Sequence, residues 1–221
     1  DLYSGEFDYV VRFQGGANAG HTVVVEGEKH VFHLLPSGVL NPEAINIIGN
    51  GVVVDLEQLC AEIEEVEGKT GSLGSRLRIS DRASVVLPFH KLRDSLSEQK
   101  NKKIGTTKRG IGPVYSDKVA RRGLRVCDLT DPERLEKRLK DICGYNNRLL
   151  TGLFDAEPLD TDDVCGTIES LAQKVRPFID DTVRLLHSVL EQDKKILFEG
   201  AQGAMLDIDF GTYPYTTSSH P

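Results

Sequence analysis

The chain has 221 residues, enough to bury a full core as one large domain or two small ones. It is 39% apolar and 28% charged, the balance of a soluble globular protein, and no apolar run approaches the length that spans a bilayer. The net charge of −7 argues against a nucleic-acid groove, which needs a basic field, and four scattered cysteines (Cys60, Cys127, Cys143 and Cys165) show neither metal-binding spacing nor a disulfide framework, so a reducing, cytoplasmic setting is expected.

Residues 1–6 have neither a basic region nor an apolar core, so they do not read as a signal peptide. An apolar run over 9–13 predicts a strand. Residues 22–25 and 30–35 are expected to pair across a turn at Gly27-Glu28, and Pro36-Ser37-Gly38 breaks the chain. Further strands are expected over 45–49, 52–54 and 77–80. Asp55 suits the N-cap of a helix over 56–66, followed by a loop over 68–74. Phe89, Leu92 and Leu96 fall at three- and four-residue spacing, which predicts a helix over 88–100. Between residues 101 and 127 lies an unusual segment, of which residues 104–113 read as flexible, hydroxyl-bearing and cationic. Helices are expected over 131–142 and 163–190, the second broken or kinked at Pro177, and a buried strand over 195–198. Strands alternating with helices imply an α/β fold with a mostly parallel central sheet flanked by helices. Ligands of such sheets sit beyond the carboxyl ends of the strands. The start just ahead of a strand and the glycine-rich end suggest one partial domain over 1–221, cut at both ends.

The segment Gln14-Gly15-Gly16-Ala17-Asn18-Ala19-Gly20-His21-Thr22 carries the strongest chemical signal. Its small residues let the backbone turn and approach a ligand closely. Asn18 then offers a donor and an acceptor, and His21 a group that exchanges a proton near neutral pH. Thr106, Thr107, Lys108 and Arg109 could hold a phosphate, or form a solvated basic turn. Arg121, Arg122 and Arg125 suit bidentate phosphate contacts, or a solvated helix face paired with Asp117. Gln202 follows Gly200-Ala201 and could read a base edge, fix a phosphate or cap a strand end. Asp207 and Asp209 share a face if their run is extended, where they could meet a cation; otherwise they hold the turn at Gly211-Thr212. His30, His33, His90 and His187 read as structural, with His30 and His33 on opposite faces of a strand.

Several blocks in register resemble the adenylosuccinate synthetase family. They are the Gln14–Thr22 stretch, His33-Leu34-Leu35-Pro36-Ser37-Gly38, Ile48-Gly49-Asn50-Gly51-Val52, Gly105-Thr106-Thr107-Lys108-Arg109-Gly110-Ile111-Gly112-Pro113, Ala120-Arg121-Arg122-Gly123-Leu124-Arg125, Glu199-Gly200-Ala201-Gln202-Gly203, and the run from Leu206 through Tyr215. Their order and spacing fit over nearly the whole chain. The resemblance implies a P-loop-type GTP-dependent ligase that joins IMP to L-aspartate. GTP phosphorylates the 6-oxygen of IMP, Mg²⁺ assists, and the aspartate amino group displaces the phosphate. It implies that His21 is the general acid, that the Gly20 carbonyl meets Mg²⁺, and that Asn18, Ala19, Gly20, His21, Thr107, Gln202 and Thr217 line the IMP site. It implies that Arg121 reaches the IMP phosphate of a neighbouring subunit, so that the enzyme works as a homodimer.

The departures are specific. The family's phosphate-binding loop, Gly-Asp-Glu-Gly-Lys-Gly-Lys, lies ahead of the region matched by residue 1, and its aspartate-binding and guanine-reading segments lie beyond the region matched by residue 221. The family usually has Asn where this chain has His220, and often Asn or His at the position of Ala17. The expectation is an inactive piece of an active parent, with no nucleic-acid or membrane partner. The alternatives are a purine-nucleotide-binding or dimerisation module without turnover, and an unrelated phosphate-binding α/β protein.

Overall fold

The computed structural model describes residues 6–25, 27–100 and 105–221. Ile104 of the cationic segment and the opening residues 1–5 lie outside them. The elements run β1 (Tyr9–Arg12), β2 (His21–Val25), β3 (Glu28–Phe32), β4 (Ile45–Ile48), β5 (Val53–Asp55), α1 (Leu56–Thr70), β6 (Leu77–Ser80), β7 (Ser84–Val86), α2 (Pro88–Lys100), α3 (Ile111–Val119), α4 (Pro132–Phe154), α5 (Thr161–Val175), β8 (Ile179–Asp180), α6 (Thr182–Glu191) and β9 (Ile196–Glu199).

Five strands form one parallel sheet in the order β8-β6-β4-β1-β9, so the α/β expectation holds. Tyr9 of β1 sits opposite Ile45 on one side and Ile196 on the other, and Arg12 sits opposite Glu199. Val10, Val11, Ile47, Ile48, Leu77 and Ile79 are buried, as continuous apolar strands are when both faces of a sheet are covered. Two small sheets flank it, the antiparallel pair β2-β3 and the parallel pair β5-β7. Among the described residues no helix is long and apolar enough to cross a membrane, and all four cysteines are free.

Several boundaries differ from expectation, each for a local reason. The second strand of the hairpin stops at Phe32 rather than continuing to residue 35. There the backbone N–H groups of His33, Leu34 and Leu35 turn onto the buried carboxylate of Glu62, at 2.8, 3.1 and 3.0 Å. Asp55 caps α1 as expected, accepting from Gln58 N, but the helix continues through Gly68 to Thr70 and ends at Gly71 with φ 78°. Helix α4 runs to Phe154, not residue 142, because its buried stripe continues through Cys143, Asn146, Leu150 and Phe154. The break expected at Pro177 in the helix over 163–190 is complete, leaving two helices. A 3-10 turn at Arg176–Phe178 containing Pro177 ends α5, and Ile179 and Asp180 then join the sheet edge as β8.

The segment read as flexible runs into the first turn of α3. Gly110 starts it with φ 78°, and the Asp94 carboxylate accepts the Gly110 N–H at 2.9 Å. Pro113 falls in the first turn, where its missing N–H leaves no gap in the helix ladder. Residues 206–209 are not extended. A 3-10 turn covers Ala204–Leu206, and Asp207 Oδ1 accepts from the N–H groups of Asp209 at 2.8 Å and Phe210 at 3.1 Å. Asp207 therefore holds the turn ahead of Gly211, and although the run is not extended, the carboxylates of Asp207 and Asp209 both face the His220 ring, at 3.3 and 4.0 Å from its two nitrogens.

Candidate functional site at the carboxyl ends of the sheet

Strands β1, β4 and β9 end side by side, so the loops that follow them meet. Gly15 bridges to Val52, tying the loop after β1 to the loop after β4. Gly15 has φ 79°, and a Cβ there would lie 2.7 Å from Ala201 Cβ and 3.1 Å from Gln202 Oε1. A Cβ on Gly16 would lie 2.7 Å from Val53 Cγ2 and 2.8 Å from Ile111 Cδ1. Glycine is thus required at two successive positions by the approach of three other segments. Asn18 Oδ1 accepts from Gly16 N at 3.2 Å, which shapes the turn that leads to His21.

A cleft of about 630 Å³ opens among these loops. Asn18 and Ala19 line it from the loop after β1, Thr107 from the segment before α3, Gln202 from the loop after β9, and Thr217 from the end of the chain. Both polar atoms of the Gln202 amide and the hydroxyl of Thr106 are buried without a hydrogen-bond partner. Buried polar groups are rarely left so, and here they border a cavity large enough for a small molecule.

Ala19 also borders a second cleft of about 290 Å³, whose walls include Gly20, His21, Arg12, Ser37 and Glu199. His21 Nε2 and Arg12 Nε stand 3.7 and 3.9 Å from Glu199 Oε1, while Glu199 Oε2 accepts from Ser37 N at 2.8 Å. Arg12 is almost fully buried and donates from Nη1 to the His33 carbonyl at 2.6 Å. Burial pushes the His21 imidazole below its ordinary value of 6.5, against the opposing pull of Glu199. The ring is therefore neutral at pH 7, able to donate from one nitrogen and accept at the other. Burial also lowers the affinity of Arg12 for its proton, opposed by Glu199 and Glu62, but a guanidinium stays charged.

A family model of adenylosuccinate synthetase matches residues 1–221. The chain belongs to the adenylosuccinate synthetase family. It is 49% identical over 223 residues to the adenylosuccinate synthetase of Halothermothrix orenii and 47% identical over 223 residues to that of Lactococcus lactis subsp. cremoris. Both alignments cover 100% of this chain and 52% of the relative. Among solved structures, a fully ligated adenylosuccinate synthetase from Plasmodium falciparum superposes with a TM-score of 0.91 at 41% identity, covering 100% of this chain and 51% of that one. A cyanophage S-2L succinoaminodeoxyadenylate synthetase, bound to dGMP and dATP, shares the fold with a TM-score of 0.63 at 24% identity over 99% of this chain and 50% of that one. The chain thus spans about half the length of the curated relatives it matches. Those relatives are, by name, ligases of purine biosynthesis.

The adenylosuccinate synthetase resemblance singled out residues that fall into three groups. Asn18, Ala19, Thr107, Gln202 and Thr217 line the larger cleft, and Gly20 and His21 the adjoining one. Arg121 lines neither. It is exposed, with φ 60°, in the turn that follows α3. Lys108 and Arg109 are also exposed and outside both linings, so only Thr106 and Thr107 of that quartet face the cleft. The arginine trio is split, and none of it is on α3, which ends at Val119: Arg122 Nε lies 3.4 Å from Asp117 and its guanidinium stacks 4.4 Å over Tyr145, Arg121 is exposed in the turn, and Arg125 caps a 3-10 turn over Val126–Thr130.

Of the other histidines, His30 stacks on Phe32, and His33 Nδ1 lies 3.4 Å from Glu62. His90 is buried, accepting from Leu87 N at 2.9 Å and facing Asp117 at 3.2 Å, whereas His187 is exposed on α6. Sequence reasoning assigned no role to Glu199, Arg12 or Glu62. A carboxylate closing an apolar strand beside a glycine-rich loop was the available signal for Glu199.

Proposed function

We propose that the polypeptide carrying this chain is a cytoplasmic, homodimeric adenylosuccinate synthetase that condenses IMP with L-aspartate at the expense of GTP. The observation that carries this reading is the convergence of Asn18, Thr107, Gln202 and Thr217, from four separate segments, on one cleft that adjoins His21. In this reading the IMP base and phosphate occupy the larger cleft, where the unpartnered amide of Gln202 and the Thr106 hydroxyl find their hydrogen bonds. Phosphorylation converts the 6-oxygen of IMP from a poor leaving group into a good one. The aspartate amino group then replaces it. Such transfers depend mainly on positioning and on stabilising charge as it develops.

The neutral imidazole of His21 suits a donor to the transferring phosphoryl group. Anionic phosphate oxygens nearby would favour its protonation, and Glu199 at 3.7 Å would stabilise the charged ring. Arg12 is turned away to the His33 carbonyl and anchors Glu199 rather than substrate.

Mg²⁺ takes carboxylate and phosphate oxygens. Among the described residues no group of three or more His, Cys, Asp or Glu side chains could hold a metal. Glu199, the carboxylate of the smaller cleft, is already engaged by Ser37 N and Arg12. The residues present therefore do not fit a magnesium site by themselves. Gly20 would add one carbonyl to an ion held by nucleotide phosphates and by groups outside this chain. For the chain alone, which spans about half of its relatives, nucleotide binding without turnover is the second reading.

The test is His21→Asn in the full-length protein. As general acid and donor His21 should contribute on the order of 10²–10⁴-fold to kcat, with melting temperature and IMP affinity close to wild type. A kcat within about threefold of wild type, well below that range, or a loss that tracks unfolding, would overturn the assignment.

A further inference from the structure

Helix α3 carries a half-buried phenol, Tyr115, that no part of the proposed chemistry uses. Tyr115 Oη donates to the Gly51 carbonyl at 2.6 Å and accepts from Gly15 N at 3.0 Å. The hydroxyl of Ser219 faces the same phenol and donates to Gln14 Oε1 at 2.9 Å. One oxygen therefore joins the loop after β1 to the loop after β4, from the helix that follows Thr107, and Ser219 ties the end of the chain to the same loop through Gln14.

Two of these segments, the loop after β1 and the end of the chain, supply walls of the larger cleft. Gly15 lies three residues before Asn18, and Ser219 two residues after Thr217. Gly15 is also pressed against Ala201 and the Gln202 amide. A shift of the Gly15 peptide would therefore move Asn18 and loosen the wall that holds Gln202. An unmade hydrogen bond here is costly, because Ser219 and Gln14 are buried and Gly15 is enclosed. An ordinary core tyrosine would contribute packing; this one also hydrogen-bonds the backbone of two loops.

We infer that Tyr115 is a positioning residue whose hydroxyl sets the relative placement of the Asn18, Gln202 and Thr217 segments, and with it the affinity for the purine nucleotide. The inference rests on the nucleotide-site reading above. The residue touches no proposed substrate atom, so its effect travels through Gly15 and, by way of the adjacent Gln14, Ser219.

The experiment compares the full-length protein with its Tyr115→Phe variant, which removes one oxygen and keeps the ring. IMP affinity is measured by calorimetry well below either melting temperature, and exchange of the Gly15 amide is followed without nucleotide. The expected result is an IMP dissociation constant raised on the order of tenfold and Gly15 exchange accelerated by a similar factor. Combined with Asn18→Ala, the loss should be less than additive, because both changes act on one loop.

A purely structural tyrosine would lower the melting temperature and leave the affinity of the folded protein unchanged; that result overturns the inference. Unchanged Gly15 exchange overturns the loop junction itself, whatever IMP does. Wild-type protein that binds no IMP defeats the functional reading instead, and the exchange measurement still judges the junction. If Tyr115→Phe does not fold, Ser219→Ala decides on the same two measurements. Weaker IMP binding with faster Gly15 exchange supports the inference, and no change in either overturns it.

Discussion

Glu62 offers a direct test of what shapes the wall behind His21. Its carboxylate is 3% exposed and accepts three backbone N–H groups, those of His33, Leu34 and Leu35, together with Gln58 Nε2 at 3.0 Å. No other hydrogen bond from those three amides competes with it in the ladder, since β3 ends at Phe32. Glu62→Ala would leave them buried and unpaired. At about 1–3 kcal/mol per orphaned donor, and with water entering part of the vacated space, the loss should be about 3–5 kcal/mol. Glu62→Gln keeps one acceptor, which can serve Leu34 and Leu35, but sets its NH₂ against the His33 N–H. A loss of about 1–3 kcal/mol is expected there. The assay is thermal unfolding of the full-length protein together with amide exchange over residues 33–35. At roughly 2–4 °C per kcal/mol, Glu62→Ala should lower the midpoint by about 6–20 °C and Glu62→Gln by less. Because Ser37 N holds Glu199 two residues further on, Glu62→Ala should also loosen the His21 cleft before global unfolding. A midpoint within about 1 °C of wild type, with unchanged exchange, would show that the carboxylate does not hold this segment.

Gly15→Ala should lose stability and IMP affinity together, because an αL backbone costs about 1–2 kcal/mol and the new Cβ meets Ala201 at 2.7 Å. Gly27→Ala, at φ 86° with nothing within 4 Å, should show the backbone part alone, and equal IMP effects at both positions would refute the close approach. Burial holds His90 below its ordinary 6.5, although the hydrogen bond and charge of Asp117 pull the other way; Arg93 reinforces the depression. The unfolded chain then binds more protons than the native one as pH falls below 6.5, so stability should drop over that window, together with the contribution of His21, which is depressed in the same direction. A melting temperature flat from pH 7.5 to about pH 5 would contradict this. Arg121→Leu should weaken IMP binding in the full-length protein, and mixing it with His21→Asn subunits should restore activity through hybrid dimers; absence of restoration counts against a site shared between subunits.

How much of this was legible in the sequence depended on whether the deciding contacts were local. Strands β4 and β6 read well because apolar runs bounded by glycine or polar residues specify them, and α2 because its apolar spacing does. The glycine-rich loop read well because its composition declares close approach, and Asp55 because a cap is local. The misses share a cause: a partner distant in sequence decides the outcome. β3 ends where it does because Glu62, twenty-nine residues after His33, captures the backbone. β8 is two residues long and exists because β6 is there to pair with it. The start of helix α3 looked like a flexible loop because Gly110, Gly112 and Pro113 are poor helix residues in isolation. Asp94 caps Gly110 from α2, and Tyr115 pins the helix to two loops far away in sequence. The same distinction runs through the site. His21 stood out by type and setting, but Glu199 acquires its place only because parallel pairing of β1 with β9 puts it opposite Arg12. Arg121 shows the reverse limit. Its residue type suggests a phosphate partner, yet within one subunit it faces outward from both clefts, so any such role needs a second subunit to complete it.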